Sequence, residues 1–190
     1  MTATLAPEGV LVLHRGEAVE ARRDRFTGPA VKAIRYADPA AWMTATAIAN
    51  ATEMLGALAP AHDRTGLIVT SAEGPVEAMA AMCEAAREGS SSPIRFPASN
   101  AGSLAGLSSI AFGFRGPTLM LTMPPSGGVP VAMLLAAAWL RRGIADHVVV
   151  AACAQPPGER PRARCLLLGP ATDGLSADPT SDVTWLAETR

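Results

Sequence analysis

Short apolar runs alternate with longer amphipathic segments along most of the chain, and this alternation is typical of strands interleaved with helices. The short runs are rich in Val, Leu and Ile and are bounded by Gly, Pro or polar residues. The predicted strands are Val10–Leu13, Thr65–Thr70, Leu119–Thr122, His147–Ala152 and Arg164–Leu168. The pattern therefore predicts an α/β fold in which the third strand and the two strands near Cys153 and Cys165 are buried.

The segments between the strands carry helix start and stop signals. Asp38 is a predicted N-cap, followed by Pro39 in the first turn, and later helices end at glycines. The predicted helices are Ala40–Leu58, a helix from Glu73-Gly74-Pro75 to near Gly89, Asn100–Phe112 and Val129–Arg142. Loops are expected over Arg22–Arg35 and Ser90–Ser99. Residues 1–190 read as a single unit, with 171–190 as a tail because periodicity is weak there.

The composition indicates which kinds of partner and which cellular compartment to expect. The 190 residues include 16 Lys plus Arg against 17 Asp plus Glu, so the chain lacks the basic stripe that nucleic-acid binding requires. The longest apolar stretch, Val129–Leu140, is too short to span a bilayer, and the N-terminus does not resemble a secretory leader. Three cysteines make a disulfide framework improbable. We expect a cytoplasmic protein without nucleic-acid or membrane partners.

The residues that usually carry metal or thiol chemistry are scattered. His14, His62 and His147 form no ligand spacing with one another or with cysteines, so we expect no metal and no organic cofactor. Cys153 and Cys165 fall in predicted buried strands, where a thiol packs as a small apolar group and a thiolate is disfavoured. Cys83, on a helix, is expected to be similarly inert.

A series of motifs resembles the N-terminal half of a β-ketoacyl synthase of the thiolase fold. The motifs are the entry into a strand at Arg64–Val69, the loop Pro93–Pro97, the segment FGFRGP at Phe112–Pro117, and RRGIAD at Arg141–Asp146 before the strand HVVVAA. The similarity covers residues 35–170 and is greatest to short ketosynthase-like proteins and chain length factors. It implies a single thiolase-like lobe, a mixed five-stranded sheet covered by helices.

The chain departs from the family at the turn that holds the acyl-accepting cysteine. Here the turn consists of Met123, Pro124, Pro125, Ser126 and Gly127, and the cysteine position corresponds to Pro124, within one residue. Proline has neither a nucleophilic side chain nor an N–H for the oxyanion hole. The resemblance also implies paired histidines from a C-terminal half, in proteins about twice this length, and none of the three histidines matches. We therefore expect no condensing activity.

Ser126 allows a second interpretation, because it follows a strand and precedes a helix, as the nucleophile of many hydrolases does. The surrounding residues lack GxSxG, and no histidine has evident placement to activate the hydroxyl. A role as the N-cap of the helix at Val129 is favoured.

Three functions follow. The leading one is a noncatalytic, chain-length-factor-like subunit of bacterial type II polyketide or polyene biosynthesis, paired with an active ketosynthase or with itself. An acyl carrier protein, whose surface is acidic, is a further partner that Arg141–Arg142 or Arg22–Arg25 would meet. The alternatives are a small acyl-thioester hydrolase or acyltransferase using Ser126, and a self-associating scaffold.

Overall fold

A computed structural model describes residues 9–27, 36–52, 63–90, 92–171 and 180–190. These ranges hold five strands and five α-helices, with two short 3-10 turns at Arg23–Arg25 and Phe96–Ser99. The strands are β1 (Val10–Ala18), β2 (Thr65–Thr70), β3 (Thr118–Leu121), β4 (His147–Ala154) and β5 (Arg162–Pro170). The helices are α1 (Pro39–Thr52), α2 (Val76–Arg87), α3 (Ser103–Phe112), α4 (Pro125–Arg141) and α5 (Thr180–Ala187). All five predicted strands are present, so the prediction of an α/β fold is confirmed.

The strands form one mixed sheet in the order β1-β5-β4-β2-β3. β3, β2 and β4 run parallel to one another, whereas β5 is antiparallel to both β4 and β1. Two parallel neighbours require a crossover connection, and the helices between β2, β3 and β4 provide it. The sheet therefore has two open edges, at β1 and at β3.

Helices cover both faces of the sheet and divide the core into two clusters. On one face α1 and α3 pack against residues such as Leu67, Val149 and Leu167. On the other face α4 and α5 pack against Ile68, Val150 and neighbouring residues. Consecutive strand residues point to opposite faces, so β2 and β4 are buried on both sides and read as continuous apolar runs. Within the described residues, no helix is long and apolar enough to cross a bilayer.

The first predicted helix is present over its described residues, whereas the third strand is less buried than predicted. The first helix is described over Pro39–Thr52, and the rest of the predicted Ala40–Leu58 lies outside the described residues. The expectation that the third strand is buried is wrong: in β3, Thr118 is exposed and the other residues are only half-buried, because β3 is an edge strand. Apolar sequence alone does not distinguish an edge strand from a central one.

Helix α5 lies within residues 171–190, for which the sequence analysis predicts a tail. Val183 and Leu186 are fully buried against the α4 side of the sheet. The Trp185 ring lies between the guanidinium groups of Arg15 and Arg164, at 5.4 and 5.0 Å from its centroid. Arg15 also forms an ion pair with Asp182. Two apolar anchors and a cation–π pair therefore hold α5 on the sheet.

Candidate functional site

The turn between β3 and α4 is built by its two prolines. Pro124, the N-cap residue of α4, has the extended dihedrals φ −60° and ψ 148°, and Pro125 is the first residue of α4. Proline is suited to this first position, because its φ matches a helix and its missing N–H would have no intrahelical acceptor. The Pro124 carbonyl then accepts the N–H groups of Gly127 and Gly128 at 3.0 and 2.9 Å. The segment Met123–Gly128 is thus a short, well-defined corner.

Close contact with β2 fixes this corner in place. A Cβ atom on Gly128 would lie 1.9 Å from Thr70 Oγ1, at the end of β2, so only glycine fits there. The Thr70 hydroxyl in turn donates a hydrogen bond to the Met123 carbonyl at 2.9 Å. The corner therefore follows a fixed path from β3 into α4.

The corner nevertheless has few groups that could take part in catalysis. Pro124 is exposed at the surface but offers neither a nucleophilic atom nor an N–H, and Pro125 removes a second donor from the start of α4. The N–H groups of Gly127 and Gly128 are already bonded to the Pro124 carbonyl. A helix N-terminus binds anions through free N–H groups, so this corner is poorly equipped to stabilise an oxyanion.

The interpretation of Ser126 as the N-cap of a helix at Val129 is wrong. α4 begins at Pro125, so Ser126 is an exposed residue inside its first turn and Pro124 occupies the cap position without a side-chain hydrogen bond. The sequence suggested a later start because Pro130 looks like a first-turn residue. The helix tolerates Pro130 because the carbonyl that loses its usual donor belongs to Ser126, at the exposed end of α4.

Neither described histidine lies near Ser126. His147 begins β4 and pairs with Thr65 at the start of β2, whereas β3 leads into the corner at the far end of β2. Five residues of strand separate these two ends of the sheet by about 16 Å. His14 is on β1, at the opposite edge of the sheet, and His62 lies outside the described residues. The structure thus assembles no Ser–His pair within its described part.

The three thiols have two different environments. Cys153 and Cys165 are fully buried in β4 and β5, and burial raises the pKa of each thiol to about 12. Cys83, by contrast, is exposed on α2, so the expectation that it resembles the two strand thiols is wrong. The local sequence carries a signal of this exposure, because α2 contains Glu77, Glu84 and Arg87 whereas the core helix α1 contains no charged residue. Among the described residues, no group of three or more His, Cys, Asp or Glu side chains is arranged to hold a metal ion.

Thiol labelling of the folded chain at about pH 8 is expected to modify Cys83 rapidly and the two strand cysteines only on unfolding. The folded pKa of about 12 lies above the ordinary value of 9.0, so burial of each thiol stabilises the fold below pH 9. That contribution is lost as the pH rises towards 12. Absorbance of released thionitrobenzoate measures the number of reactive thiols, and Cys83→Ser is the control. Rapid labelling of Cys153 or Cys165 in the native state would contradict the assignment.

The family model for the N-terminal domain of β-ketoacyl synthase matches residues 13–173. The chain belongs to the β-ketoacyl synthase family. The resemblance in sequence motifs implies that the corner at Met123–Gly127 corresponds to the family's nucleophile turn, with the cysteine position at Pro124 to within one residue. A search of curated protein sequences finds no match.

Solved structures of β-ketoacyl synthases share the fold. The ishigamide ketosynthase/chain length factor superposes with a TM-score of 0.67 and 14% identity, covering 86% of this chain and 62% of that one. A type II polyketide synthase acyl-carrier protein in complex with its ketosynthase bound to the hexaketide, AntDE:AntF, gives 0.65 and 13%, covering 86% and 63%. This chain therefore spans less than two thirds of either chain.

A third similar structure is closer in length. In the ketosynthase ApeO in complex with its chain length factor ApeC, from Xenorhabdus doucetiae, the matching chain has a TM-score of 0.61 and 14% identity. The match covers 95% of this chain and 91% of that one. The prediction of a thiolase-like lobe with a mixed five-stranded sheet is confirmed by these superpositions and by the strand order.

Sequence reasoning missed the surface beside the corner at Met123–Gly128. Within the described residues, the backbone of β3 pairs only with β2, and Leu67 and Ser71 donate to the carbonyls of Pro117 and Leu121. Because strand residues alternate in direction, the backbone groups of Thr118 and Met120 point away from the sheet. Ile110 of α3, which neighbours β3, is 49% exposed. We call Ile110 and Thr118–Leu121 the β3 edge surface.

An apolar cavity of about 350 Å³ lies between α3 and the preceding loop, and Ile110 contributes to both the cavity and the β3 edge surface. Gly102 and Gly106 leave space on the helix side, and Leu107 supplies apolar wall. The buried Ser103 hydroxyl, which also lines the cavity, has no hydrogen-bond partner within the described structure. The cavity therefore suits an apolar group far better than a charged one.

Proposed function

We propose that the chain is a noncatalytic ketosynthase-like subunit that pairs with an active ketosynthase in bacterial type II polyketide or polyene biosynthesis. Pro124 at the nucleophile position carries the proposal. Decarboxylative condensation needs a thiolate to hold the acyl chain and two imidazoles to stabilise the enolate. Since the corner offers none of these, the ketosynthase partner would supply all three, and this chain would act through its surface, as a chain length factor does.

The β3 edge surface supports a protein partner. An edge strand with outward N–H and carbonyl groups and apolar neighbours is a template for pairing with another chain unless it is covered or charged. Thr118–Leu121 contains no charged residue, and the adjoining Ile110 adds exposed apolar area. These uncharged, outward-facing groups support the proposal that another chain covers this edge.

The apolar cavity at α3 supports a role in shaping an acyl site. It lies directly behind Ile110, so a partner covering the β3 edge surface would also cover part of the cavity wall. An acyl chain extended by the partner would meet apolar side chains and glycines there rather than charges. In this proposal the chain forms part of the wall of an acyl cavity, and the ketosynthase carries out the reaction inside that cavity.

An acyl carrier protein, whose surface is acidic, is a further proposed partner. Arg22 forms an ion pair with Asp24 at 3.1 Å, and Arg23 lies over the Trp42 ring. Arg25 donates to Asn50. Arg22–Arg25 and Arg141–Arg142 are both proposed as contacts for the carrier surface.

Co-expression with the ketosynthase encoded nearby tests the proposal. The two proteins are expected to co-elute as a complex, and Met120→Pro on this chain is expected to abolish it. The Met120 N–H points away from β2, so proline there blocks pairing with a new strand while leaving the β2 ladder intact. Size-exclusion chromatography with mass measurement reports the complex, and circular dichroism checks the fold of the variant.

Val19→Pro serves as the matched control, because Val19 is exposed beyond the end of β1. It should leave the complex unchanged. If wild-type chains elute separately and the ketosynthase makes the same products without this chain, the subunit proposal is wrong. Turnover of an acyl thioester by the isolated chain, lost in Ser126→Ala, would favour an enzyme instead.

A further inference from the structure

The loop Ser92–Asn100 presents large apolar side chains to solvent. Phe96 is 66% exposed and Ile94 is 58% exposed. The chain has four phenylalanines, and the other three contact one another or the Trp42 ring inside the fold. A single exposed apolar residue is common, whereas neighbouring exposed residues that include an aromatic ring are typical of an interaction surface.

The backbone of this loop is held in place around Phe96. The Ser99 hydroxyl donates a hydrogen bond to the Phe96 carbonyl at 2.8 Å, and the Asn100 side-chain amide donates to the Pro97 carbonyl at 2.6 Å. Pro93 and Pro97 each fix one backbone angle. A loop that is ordered before contact loses little conformational entropy when it binds, so these features suit a binding role for Phe96.

The loop is continuous with the β3 edge surface. Ile94 of the loop and Ile110 of α3 line the same apolar cavity. The hydroxyl groups of Ser109 in α3 and Thr118 in β3 form a hydrogen bond at 3.2 Å, so α3 connects the loop to the strand. A protein that covers the β3 edge surface would therefore reach the loop as well.

We propose that Phe96 is an aromatic anchor that enters an apolar pocket of the ketosynthase partner. The inference rests on the proposed function, because that function places the ketosynthase on the β3 edge surface. Buried aromatic side chains commonly dominate the binding energy of an interface. An acidic carrier protein does not suit this loop, because its one charged residue, Arg95, lies over the Tyr36 ring, 5.2 Å from the ring centroid.

Photo-cross-linking identifies the protein that position 96 contacts. With p-benzoylphenylalanine in place of Phe96, irradiation of the co-expressed complex is expected to give a covalent adduct with the ketosynthase. The same replacement at Val19 should give none, because Val19 is also 66% exposed but follows β1, at the opposite edge of the sheet. Mass spectrometry of tryptic peptides identifies the attached chain. An adduct with a second copy of this chain, or no adduct, would overturn the proposal.

Phe96→Ala is expected to weaken binding of the ketosynthase about thirtyfold, the loss typical of a buried aromatic anchor, as measured by isothermal titration calorimetry. Val19→Ala should bind as tightly as wild type, and circular dichroism checks that both variants are folded. Wild-type affinity in Phe96→Ala would overturn this inference but leave the subunit proposal intact. A wild-type chain that does not bind the ketosynthase would overturn both.

Asn100→Asp tests whether the order of the loop acts through Phe96, because the carboxylate cannot donate to the Pro97 carbonyl. It is expected to weaken binding about fivefold in the wild-type background and to have little effect in Phe96→Ala, where the anchor is already absent. Calorimetry of the two single variants and the double variant measures this difference. An equal loss in both backgrounds would show that the loop does not position Phe96 for binding.

Discussion

Gly16→Ala is expected to destabilise the protein by about 3 kcal/mol or more, a large effect for the addition of a single methyl group. Gly16 lies in β1 where helix α1 crosses the strand. A Cβ atom at this position would lie 2.1 Å from the Ala47 carbonyl oxygen and 2.7 Å from the Ala51 nitrogen. Both are backbone atoms of α1, so no side-chain rotation relieves the clash. The helix must move away from the sheet and open the core beneath it.

Urea denaturation followed by circular dichroism measures this loss as a lower midpoint at an unchanged slope. Gly106→Ala is the matched control, because a Cβ there meets nothing within 4 Å and Gly106 lies inside helix α3. Helix propensity should make that variant more stable by about 1 kcal/mol. A loss below about 1 kcal/mol for Gly16→Ala would show that α1 does not rest directly on the backbone of β1.

Asp38→Ala is expected to cost about 3 kcal/mol, because one buried carboxylate caps two helices. Asp38 is 1% exposed. Its Oδ1 accepts the Ala40 N–H of α1 at 2.8 Å, and its Oδ2 accepts the Ala78 N–H of α2 at 2.9 Å. Asp38→Asn retains one acceptor but turns an amide N–H towards the other helix, so it should lose most of the same stability.

Amide hydrogen exchange distinguishes the effect of losing the Asp38 cap on α2 from its effect on α1. α1 is packed in the core, whereas α2 has no buried residue, so losing its cap should release α2 first. Amides of 76–87 should exchange faster in Asp38→Asn while those of β4 stay protected. Asp24→Ala, which removes only an exposed ion pair with Arg22, should change stability by less than about 0.5 kcal/mol. Unchanged exchange of α2 would contradict the capping role.

The corner at Met123–Gly128 combines a well-defined backbone with few reactive groups. Thr70 and Gly128 hold it against β2, and Pro124 and Pro125 lead from the strand into the helix. The two prolines offer neither a nucleophilic side chain nor an N–H donor. These features support the proposal that the chain acts through its surface.

The sequence by itself determined the five strands, four of the helices and the groups available at Met123–Gly127. The five strands could be predicted because apolar runs of the right length are local signals, and Asp38 could be identified as a cap because capping involves neighbours in the chain. The absence of a nucleophilic group at Pro124 followed from the residue type alone, since no environment gives proline a reactive side chain. These inferences do not depend on what lies across the fold.

Only the tertiary structure decided what each element faces. β3 and β4 have similar apolar sequences, yet one is an open edge and the other is central, because strand order is set by packing between distant segments. α2 contains mostly Ala, Met and Val but has no buried residue, and α5 lies in a segment with weak periodicity but is anchored by Val183 and Leu186. Burial is a property of neighbours in space, which local sequence does not specify.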